Sequence, residues 1–502
     1  MKNTFRRLII PAALVVGLIG FAVPQTYGAS AAVDTNATIT LGLDLEPTSL
    51  DLTGTAGAPI PQVLLDNVYE SLVRINDKGV IVPNLASSWK ISPDGKTYTF
   101  TLANAKFHDG SVFTSADVLW SYNRVTAKDS TNPFKTQFAN VSSVFATGGK
   151  TIIIKMKNRD NSFLFNLTGQ VGVVLKAKSA NLDSTANGTG PYKFSNWNRG
   201  TSITLVRNDA YRGTKGLAKT VVFRYISNPN ALNNAFLSGQ VDVLTTVQAP
   251  EILKFFVAND KFKVVEGSTN GEVTMSMNND NTYFKNPKVR LAVRQAIDHK
   301  ALIQTAWSGF GSTLGSFVPP TDPWYEDLTG LAPYNVAASK ALLADAGYPN
   351  GFKVTLDIPP IGYATASSEF IQASLKKVGI DVTINNVGWG EWIDRIFTKG
   401  NYDMTIVAHV EPHDIALYGN PGYYFHYNNT DVQGWLKAAD EAATDAERTA
   451  LLKKVGRQLA VDSASDWLFL LPATQVVTKK ISGIPTNSLG MSYYVASIAK
   501  TK

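Results

Sequence analysis

Apolar and polar residues alternate with a period of two in the first half of the chain, which is typical of half-buried strands. The stretch "TITLGLD" predicts a strand that runs into a turn-rich loop, "LEPTSLDLTGTAGAP". In "SWKISPDGKTYTFTL" the apolar positions Tyr98, Phe100 and Leu102 alternate with threonines, and Asp94-Gly95 supplies a turn. We therefore expect a β-hairpin here. The segment after it, "TSADVLWSYNRV", predicts a helix capped by its opening threonine or serine.

In the second half, helical and strand patterns follow one another. "NPKVRLAVRQAIDHKALIQTAW" predicts one helix with Asn286 as N-cap and Pro287 at the first helical position. Further on the order is strand ("KVTLDI"), helix ("TASSEFIQASLKKV") ended by Gly379, strand ("IDVTINNV"), helix ("GEWIDRIFTK") and strand ("YDMTIVAHV"). Thr444 and Glu447 then form a capping box. This order predicts an α/β fold, with a parallel sheet covered by helices.

The segment "YDMTIVAHVEPHD" at 402–414 concentrates candidate chemistry, since two of the chain's five histidines lie in it. If 402–410 is a parallel strand, Glu411, His413 and Asp414 follow its carboxyl end, where open α/β sheets bind ligands. His409 ends the strand itself. The position favours a ligand pocket whose anchoring groups are Glu411 and Asp414.

Two other kinds of chemistry remain open for this segment. A loop could fold His409, Glu411 and His413 around a metal ion, although Pro412 prevents the regular helix of an H-E-x-x-H zinc site. Glu411 and Asp414 could form an acid/base pair, yet no G-x-S-x-G elbow, phosphate-binding loop or dinucleotide fingerprint accompanies them. We therefore predict a protein that is not an enzyme and carries no metal or cofactor.

The aromatic segment "YGNPGYYFHYNN" follows directly and contributes Tyr423. Carboxylates beside aromatic faces suit a cationic or amphipathic organic ligand. The same pattern also fits a solvated loop beside ordinary core residues, so the sequence leaves both interpretations open.

Composition limits the architecture and the partners. A chain of 502 residues with 44% hydrophobic residues is long enough for about three domains. Lys and Arg are scattered along the chain, so the pI of about 9.1 does not indicate nucleic-acid binding.

The first 31 residues carry the pattern of a secretory signal peptide. Lys2, Arg6 and Arg7 precede the apolar run "LIIPAALVVGLIGFAV", and Ala29-Ser30-Ala31 forms a small-residue cleavage site. The chain contains no cysteine, so it has no disulfides and no thiol for a lipid anchor. We expect a freely soluble periplasmic protein.

Several stretches together resemble the extracellular solute-binding proteins of family 5, the peptide/nickel-type substrate-binding proteins of ABC importers. They are "SLDLTGTAG", "VYESLVRIN", "VPNLASSWKISPDGKTYTFTLANAKFHDGSVFTSADVLWSYNRV", "GTGPYKF", "LSGQVDVL", "NPKVRLAVRQAIDHKALI" and "GNYDM". They extend over about residues 38 to 490.

The resemblance implies a large, two-lobed periplasmic-binding-protein fold of type II, with an extra domain inserted in the first lobe. We expect lobe I at 32–69, 189–270 and 474–502, the inserted domain at 70–188 and lobe II at 271–473. The lobes would close around the ligand by bending at the crossings near 270 and 473.

The resemblance also implies positions for the ligand site. In the peptide binders of this family an aspartate near this strand end holds the ligand's α-amino group. Here "HVEPHDI" departs from the usual Asp-Tyr-x-Asp/Glu-Pro pattern, and Glu411 or Asp414 is expected to take that role. The other wall positions expected from local motifs are His409, Trp392, Trp389, Tyr423, Phe134, Ala56, Gly57 and Ala58.

The expected function is to bind a small solute, foremost a short peptide, and to deliver it to a membrane permease. The alternatives are an opine, an oligosaccharide or a metal chelate as ligand and, in a different class, a secreted metal-dependent hydrolase. The expected partners are the ligand and the permease subunits of the importer. We expect a monomer that binds no nucleic acid.

Overall fold

The computed structural model describes residues 32–54, 57–247 and 250–502. The predicted signal peptide and Ala56 lie outside these residues. The described parts form two lobes, each with its own mixed sheet, and an inserted domain with an antiparallel sheet.

The first lobe contains a seven-stranded sheet formed by described residues of three separate parts of the chain. In spatial order its strands are Phe262–Gly267, Ala473–Thr478, Val243–Leu244, Thr38–Leu43, Thr220–Tyr225, Ser202–Arg207 and Tyr192–Asn198. Its α-helices are Pro59–Leu64, Pro229–Leu237 and Leu253–Ala258. The strand predicted from "TITLGLD" is confirmed at the centre of this sheet, where Ile39 and Leu41 are fully buried.

The inserted domain is a four-stranded antiparallel sheet. Its strands in spatial order are Ala86–Ile91, Thr97–Leu102, Thr151–Met156 and Val141–Thr147. The predicted hairpin is confirmed: Ala86–Ile91 pairs with Thr97–Leu102, and Gly95 adopts a φ of +67° that its turn requires. The predicted helix is confirmed as Ser115–Thr126, with Thr114 as its N-cap. Phe163–Asn166 is a further short helix of this domain.

The second lobe contains a five-stranded sheet whose described strands come from a continuous part of the chain. In spatial order they are Asp381–Asn386, Lys353–Ile358, Met404–His409, Glu272–Met277 and Asp466–Leu470. The first three are parallel, as predicted. Glu272–Met277 runs antiparallel to both of its neighbours and makes the sheet mixed, and Asp466–Leu470 has the direction of the first three. Its helices include Val336–Asp345, Gly362–Lys376, Thr430–Glu441 and Asp445–Asp462, and Trp389–Glu391 continues as the π-helix Trp392–Thr398.

The prediction of a single helix over 286–307 is wrong. The structure has two helices, Pro287–Ala296 and His299–Ala306. Ile297 is extended between them, and the carboxylate of Asp298 accepts a hydrogen bond of 3.1 Å from the amide of Ala301. An aspartate that caps the next turn in this way favours a new helix start over continuation of the old helix.

Short elements complete the described structure. Single-turn 3₁₀ helices are Lys135–Phe138, Gln170–Gly172, Pro250–Ile252, Thr329–Leu331 and Asp414–Gly419. Two small hairpins pair Val73–Ile75 with Ile81–Pro83 and Ile481–Ser482 with Ala499–Lys500. None of the helices in the described ranges is long and apolar enough to cross a membrane.

Two chain crossings connect the lobes and lie side by side. The chain leaves the first-lobe sheet after Gly267 and returns to it at Ala473. The amide of Leu471 donates to the carbonyl of Gly271 over 2.8 Å, and Thr269 Oγ1 donates to the carbonyl of Leu471 over 2.6 Å. The two crossings therefore form one connection, at the positions where the sequence places the hinges.

Candidate functional site

A cavity of about 830 Å³ lies between the two lobes and the inserted domain, and we refer to it as the interlobe cavity. Its walls come from five places in the chain: the early segment at 57–66, the segment at 74–77, the inserted domain at 134–170, the second-lobe loop at 410–413 and the segment at 483–497. The volume falls within the range of roughly 300–1,000 Å³ that is usual for small-ligand sites. A second concavity of about 610 Å³ is lined by the second lobe alone. We assign the site to the interlobe cavity, because both lobes contribute to its walls.

The second-lobe wall of the cavity is the loop that follows the strand Met404–His409. Glu411, Pro412 and His413 line the cavity. His413 has a φ of +61°, which turns the chain so that Asp414 opens a 3₁₀ helix directed back into the lobe. The exposed Glu411 carboxylate is thus the negative group that this loop presents to the cavity.

His409 lies behind this loop and is buried. Its Nε2 is 2.9 Å from the hydroxyl of Tyr424, and its ring packs edge-on to Phe317 with centroids 5.2 Å apart. Burial lowers the pKa of His409 to about 4, because the apolar surroundings disfavour the imidazolium form. The side chain is therefore a neutral imidazole at neutral pH.

His413 faces a different direction from His409. Its ring lies 4.1 Å from that of Phe165 in the inserted domain and 4.7 Å from that of Trp324, measured between centroids. Burial, together with the positive charge of Arg448, lowers the pKa of His413 to about 4. His413 therefore serves as a contact between the second lobe and the inserted domain.

Four carboxylates gather behind and within the second-lobe wall, and we call them the acidic cluster: Glu272, Asp322, Glu411 and Asp414. Burial raises the pKa of Glu272 well above its usual value, and the charge of Asp414 raises it further. Burial also raises the pKa of Asp414, with an additional contribution from Glu411. For Asp322 burial raises the pKa to about 7, partly offset by Arg448. Burial and mutual repulsion therefore disfavour the ionised forms of the buried carboxyl groups in this cluster.

The cavity is also lined by a cation, Arg74. The guanidinium of Arg74 lies over the ring of Tyr494, 5.1 Å from its centroid. Among the described residues no carboxylate lies within 4.0 Å of its nitrogens. Nearby, burial raises the pKa of the cavity-lining Asp66 to about 7, while the charge of Arg74 lowers it. The cavity is thus lined by the exposed Glu411 carboxylate of the second lobe and by Arg74 from the start of the inserted domain.

The inserted domain touches the second lobe directly beside the cavity. Asn161 Nδ2 donates to the carbonyls of Ala439 and Ala442, both over 3.0 Å. The amide of Asn161 donates to the carbonyl of Asp440 over 3.3 Å. These bonds satisfy carbonyls at the carboxyl end of the helix Thr430–Glu441 and keep the cleft closed at this point.

The predicted site residues line the interlobe cavity, lie buried behind its second-lobe wall, or lie further inside the second lobe. Those that line the interlobe cavity are Gly57, Ala58, Phe134 and Glu411. Those buried behind its second-lobe wall are His409 and Asp414.

The predicted aromatic residues lie further into the second lobe. Trp392 is a core residue, and its Nε1 donates to Thr405 Oγ1 over 2.9 Å. Trp389 stacks on it with ring centroids 5.1 Å apart, and the half-buried Tyr423 packs on Phe425. Sequence reasoning missed Glu272 and Arg74, although Arg74 lies within the quoted stretch "VYESLVRIN".

Comparison with known proteins identifies a family. The model of the bacterial extracellular solute-binding proteins, family 5 (middle part), matches residues 80–431. The glutathione-binding protein GsiB of Pectobacterium atrosepticum is 26% identical over 472 residues, covering 85% of this chain and 88% of that protein.

Two solved structures have the same fold and similar size. The periplasmic binding protein DppA of Helicobacter pylori, in complex with the peptide STSA, has a TM-score of 0.78 and 25% identity and covers 93% of this chain and 98% of its own. AgaA of A. tumefaciens R10, in complex with agropinic acid, has a TM-score of 0.76 and 26% identity, with 93% and 99% covered.

Proposed function

The chain belongs to the family 5 bacterial extracellular solute-binding proteins, which serve ABC importers, and we propose that its own solute is a short peptide held in the interlobe cavity. The family places the protein among substrate-binding proteins rather than hydrolases. The observation that carries the peptide proposal is the opposite charge of the two cavity walls, with Glu411 on one and Arg74 on the other.

A short peptide matches these walls because its two termini carry opposite charges. Its α-ammonium group would face Glu411, with the buried carboxyl group of Asp414 behind it, and its carboxylate would face Arg74. A carboxylate enclosed between two lobes needs a partner, and a ligand ammonium group supplies a charge-assisted hydrogen bond. The relatives support this class of ligand, since DppA was solved with a peptide and GsiB is named for glutathione.

The apolar part of the cavity suits the side chains of such a peptide. Phe134, Phe165 and Met491 line it together with Ile484 and Leu489. These residues offer apolar surface without strongly directional groups, which favours tolerance of different side chains. An opine is the second candidate, because AgaA, with 26% identity, holds agropinic acid.

The remaining parts of the proposal concern where the protein works and with what. We propose that the leader at residues 1–31 is cleaved on export to the periplasm and that the protein acts there as a monomer. The loaded protein would deliver its solute to the permease subunits of an ABC importer. We assign it neither a catalytic step nor nucleic acid as a partner.

The first test is to identify the solute carried by the protein as purified from its natural host. Denaturation followed by mass spectrometry of the released small molecules should yield peptides of a few residues. Calorimetry of the emptied protein with those peptides should give saturable binding at one site per chain. Release of an opine or a sugar, with no binding of peptides from a library, would overturn the peptide assignment and leave the family assignment intact.

A further inference from the structure

The acidic cluster and His409 bring together a donor set that resembles a metal-binding site. One donor atom from each of His409, Glu411 and Asp414 lies within 4.8 Å of the others. Glu272 lies beside them on the neighbouring strand, since it pairs with His409 in the antiparallel register. Residues directly opposite in such a pair place their Cβ atoms on the same face, roughly 4.5–5.5 Å apart.

Glu272 itself points to an occupant. Its side chain is fully buried, with 0% exposure, and neither carboxylate oxygen has a hydrogen-bond partner among the described residues. Asp414 Oδ2 is likewise buried and unpartnered within the described part of the chain. Burying an ionised carboxylate without a partner is strongly unfavourable, so such a group is neutralised by a proton, paired with a cation or bound to a metal.

The shape of the site favours a single small ion over an organic cation. Of Glu411, His409, Asp414 and the neighbouring Glu272, only Glu411 lines the interlobe cavity. Glu272, His409 and Asp414 are each at most 8% exposed. The ammonium group of a solute in the cavity therefore reaches Glu411, whereas only a small ion fits among the other three side chains.

We propose that His409, Glu411 and Asp414 bind a divalent transition-metal ion of the zinc class in the second-lobe wall, with the buried carboxyl group of Glu272 beside the ion. One imidazole nitrogen combined with carboxylate oxygens suits Zn²⁺, Co²⁺ or Mn²⁺, whereas Ca²⁺ and Mg²⁺ take oxygen ligands alone. The Tyr424 hydroxyl, 2.9 Å from Nε2, would accept the hydrogen of the imidazole when the other nitrogen binds the metal. The donor set differs from the His409, Glu411 and His413 combination that the sequence suggests, because His413 turns toward Phe165.

A bound ion is compatible with the proposed peptide. The positive charges of Arg448 and a divalent ion would balance three of the four carboxylates of the acidic cluster, and the wall would keep a net negative charge toward the cavity. The proposal of a metal site is independent of the proposal of a peptide ligand, so an experiment can refute either one without the other. Peptide binding is measured in EDTA, and metal binding is measured on protein freed of solute.

The test uses untagged full-length protein, dialysed against EDTA and then titrated with Zn²⁺, and separately with Co²⁺ for its visible absorption. We expect one equivalent of Zn²⁺ by elemental analysis, a higher melting temperature with the metal, and a Co²⁺ spectrum of a site with mixed nitrogen and oxygen ligands. Glu272→Gln should weaken Zn²⁺ binding about tenfold or more, and His409→Asn by about 100-fold. His108→Gln is the matched control and should bind Zn²⁺ as the parent does, because His108 lies in the inserted domain with its Nε2 3.1 Å from the carbonyl oxygen of Gly190.

Glu272→Gln also separates metal binding from folding. The variant keeps the shape of the side chain and replaces a buried carboxyl group by an amide that cannot ionise, so the metal-free protein should be at least as stable as the parent. A parent protein that binds much less than one equivalent of both ions would overturn the proposal. So would Glu272→Gln and His409→Asn variants that bind Zn²⁺ as tightly as the parent.

Discussion

Glu272 and His409 face each other across two antiparallel strands, one at the entry of the chain into the second lobe and the other at the end of the lobe's central strand. The pairing couples the acidic cluster to the connection between the lobes. Glu272 directly follows Gly271, which is hydrogen-bonded to the returning crossing at Leu471. The second-lobe wall of the cavity is therefore held on the side of that lobe where the two chain crossings lie.

Replacing the exposed carboxylate of the second-lobe wall should weaken peptide binding. We expect Glu411→Gln to lower affinity about 30-fold or more, which corresponds to roughly 2 kcal/mol for a desolvated charge pair that has lost one partner. Asp414→Asn should have a smaller effect, because Asp414 does not line the cavity. Calorimetry in EDTA with the identified peptide measures both, and Glu441→Gln, at the exposed end of the helix Thr430–Glu441, is the control. Parent-like affinity in both folded variants would place the anchor elsewhere.

Arg74 should distinguish a free peptide carboxylate from its amide. The parent is expected to bind a peptide about tenfold or more tightly than the same peptide with an amidated C-terminus, because a charge-assisted bond is lost. Arg74→Gln should bind both forms equally. Arg199→Gln is the matched control, since Arg199 also lies over an aromatic ring, 3.3 Å from the Trp197 centroid, but lines neither cavity wall. If Arg74→Gln still prefers the free acid, another group holds the carboxylate.

Asn161 should contribute to closure of the lobes. Asn161→Ala removes two side-chain hydrogen bonds to the second lobe, worth together roughly 1–2 kcal/mol, so ligand affinity should fall about 5- to 30-fold. Small-angle scattering should show a smaller radius of gyration when the parent binds ligand, and a weaker decrease for the variant at the same ligand concentration. Asn140→Ala is the control, because Asn140 Nδ2 bonds to Asn158 within the inserted domain. Equal contraction of parent and Asn161→Ala would contradict a closing role.

His108 should make stability depend on pH. Burial lowers its pKa from 6.5 to about 4, so the folded chain resists a proton that the unfolded chain accepts. The stabilisation is complete above about pH 6.5 and is lost as the pH falls toward 4, by up to about 1.4 kcal/mol per pH unit for one proton. His108→Gln should show a shallower decrease of the unfolding free energy between these values. Denaturant titrations at several pH values measure it, and identical slopes for parent and variant would refute it.

Local sequence signals predicted the secondary elements well where one strong feature determined them. The Asp94-Gly95 turn and the Thr114 cap both form at the expected positions. The helix break at Asp298 was missed because the apolar spacing continues through it, and only the capping side chain interrupts the helix. The sequence also did not predict that the strands of the second-lobe sheet run in both directions. Glu272–Met277 and Asp466–Leu470 lie far in sequence from the strands that were predicted to be parallel.

The candidate site could be predicted only along one segment of the chain. The 402–414 pattern located the wall and its carboxylates, because both are local. The partnership of Glu272 with His409 depends on strand register over a long separation, and no local pattern encodes it. The sequence predicts Trp392 as a residue of the cavity wall. In the structure its indole N–H donates a hydrogen bond to Thr405 inside the lobe, and the ring packs in the core there.

The adjacent crossings make the second lobe a transferable unit. Residues 272–470 leave and rejoin the first lobe at neighbouring points. The apolar cores of the second lobe are formed almost entirely by residues between Val273 and Leu470. A segment with its own interior and closely spaced ends can be exchanged between relatives without rebuilding the rest of the protein. Recombination at the two crossings would replace the whole acidic wall in one event and leave Arg74 in place. A second-lobe wall from one relative can thus be combined with the Arg74 wall of another, and the interior of each lobe stays unchanged.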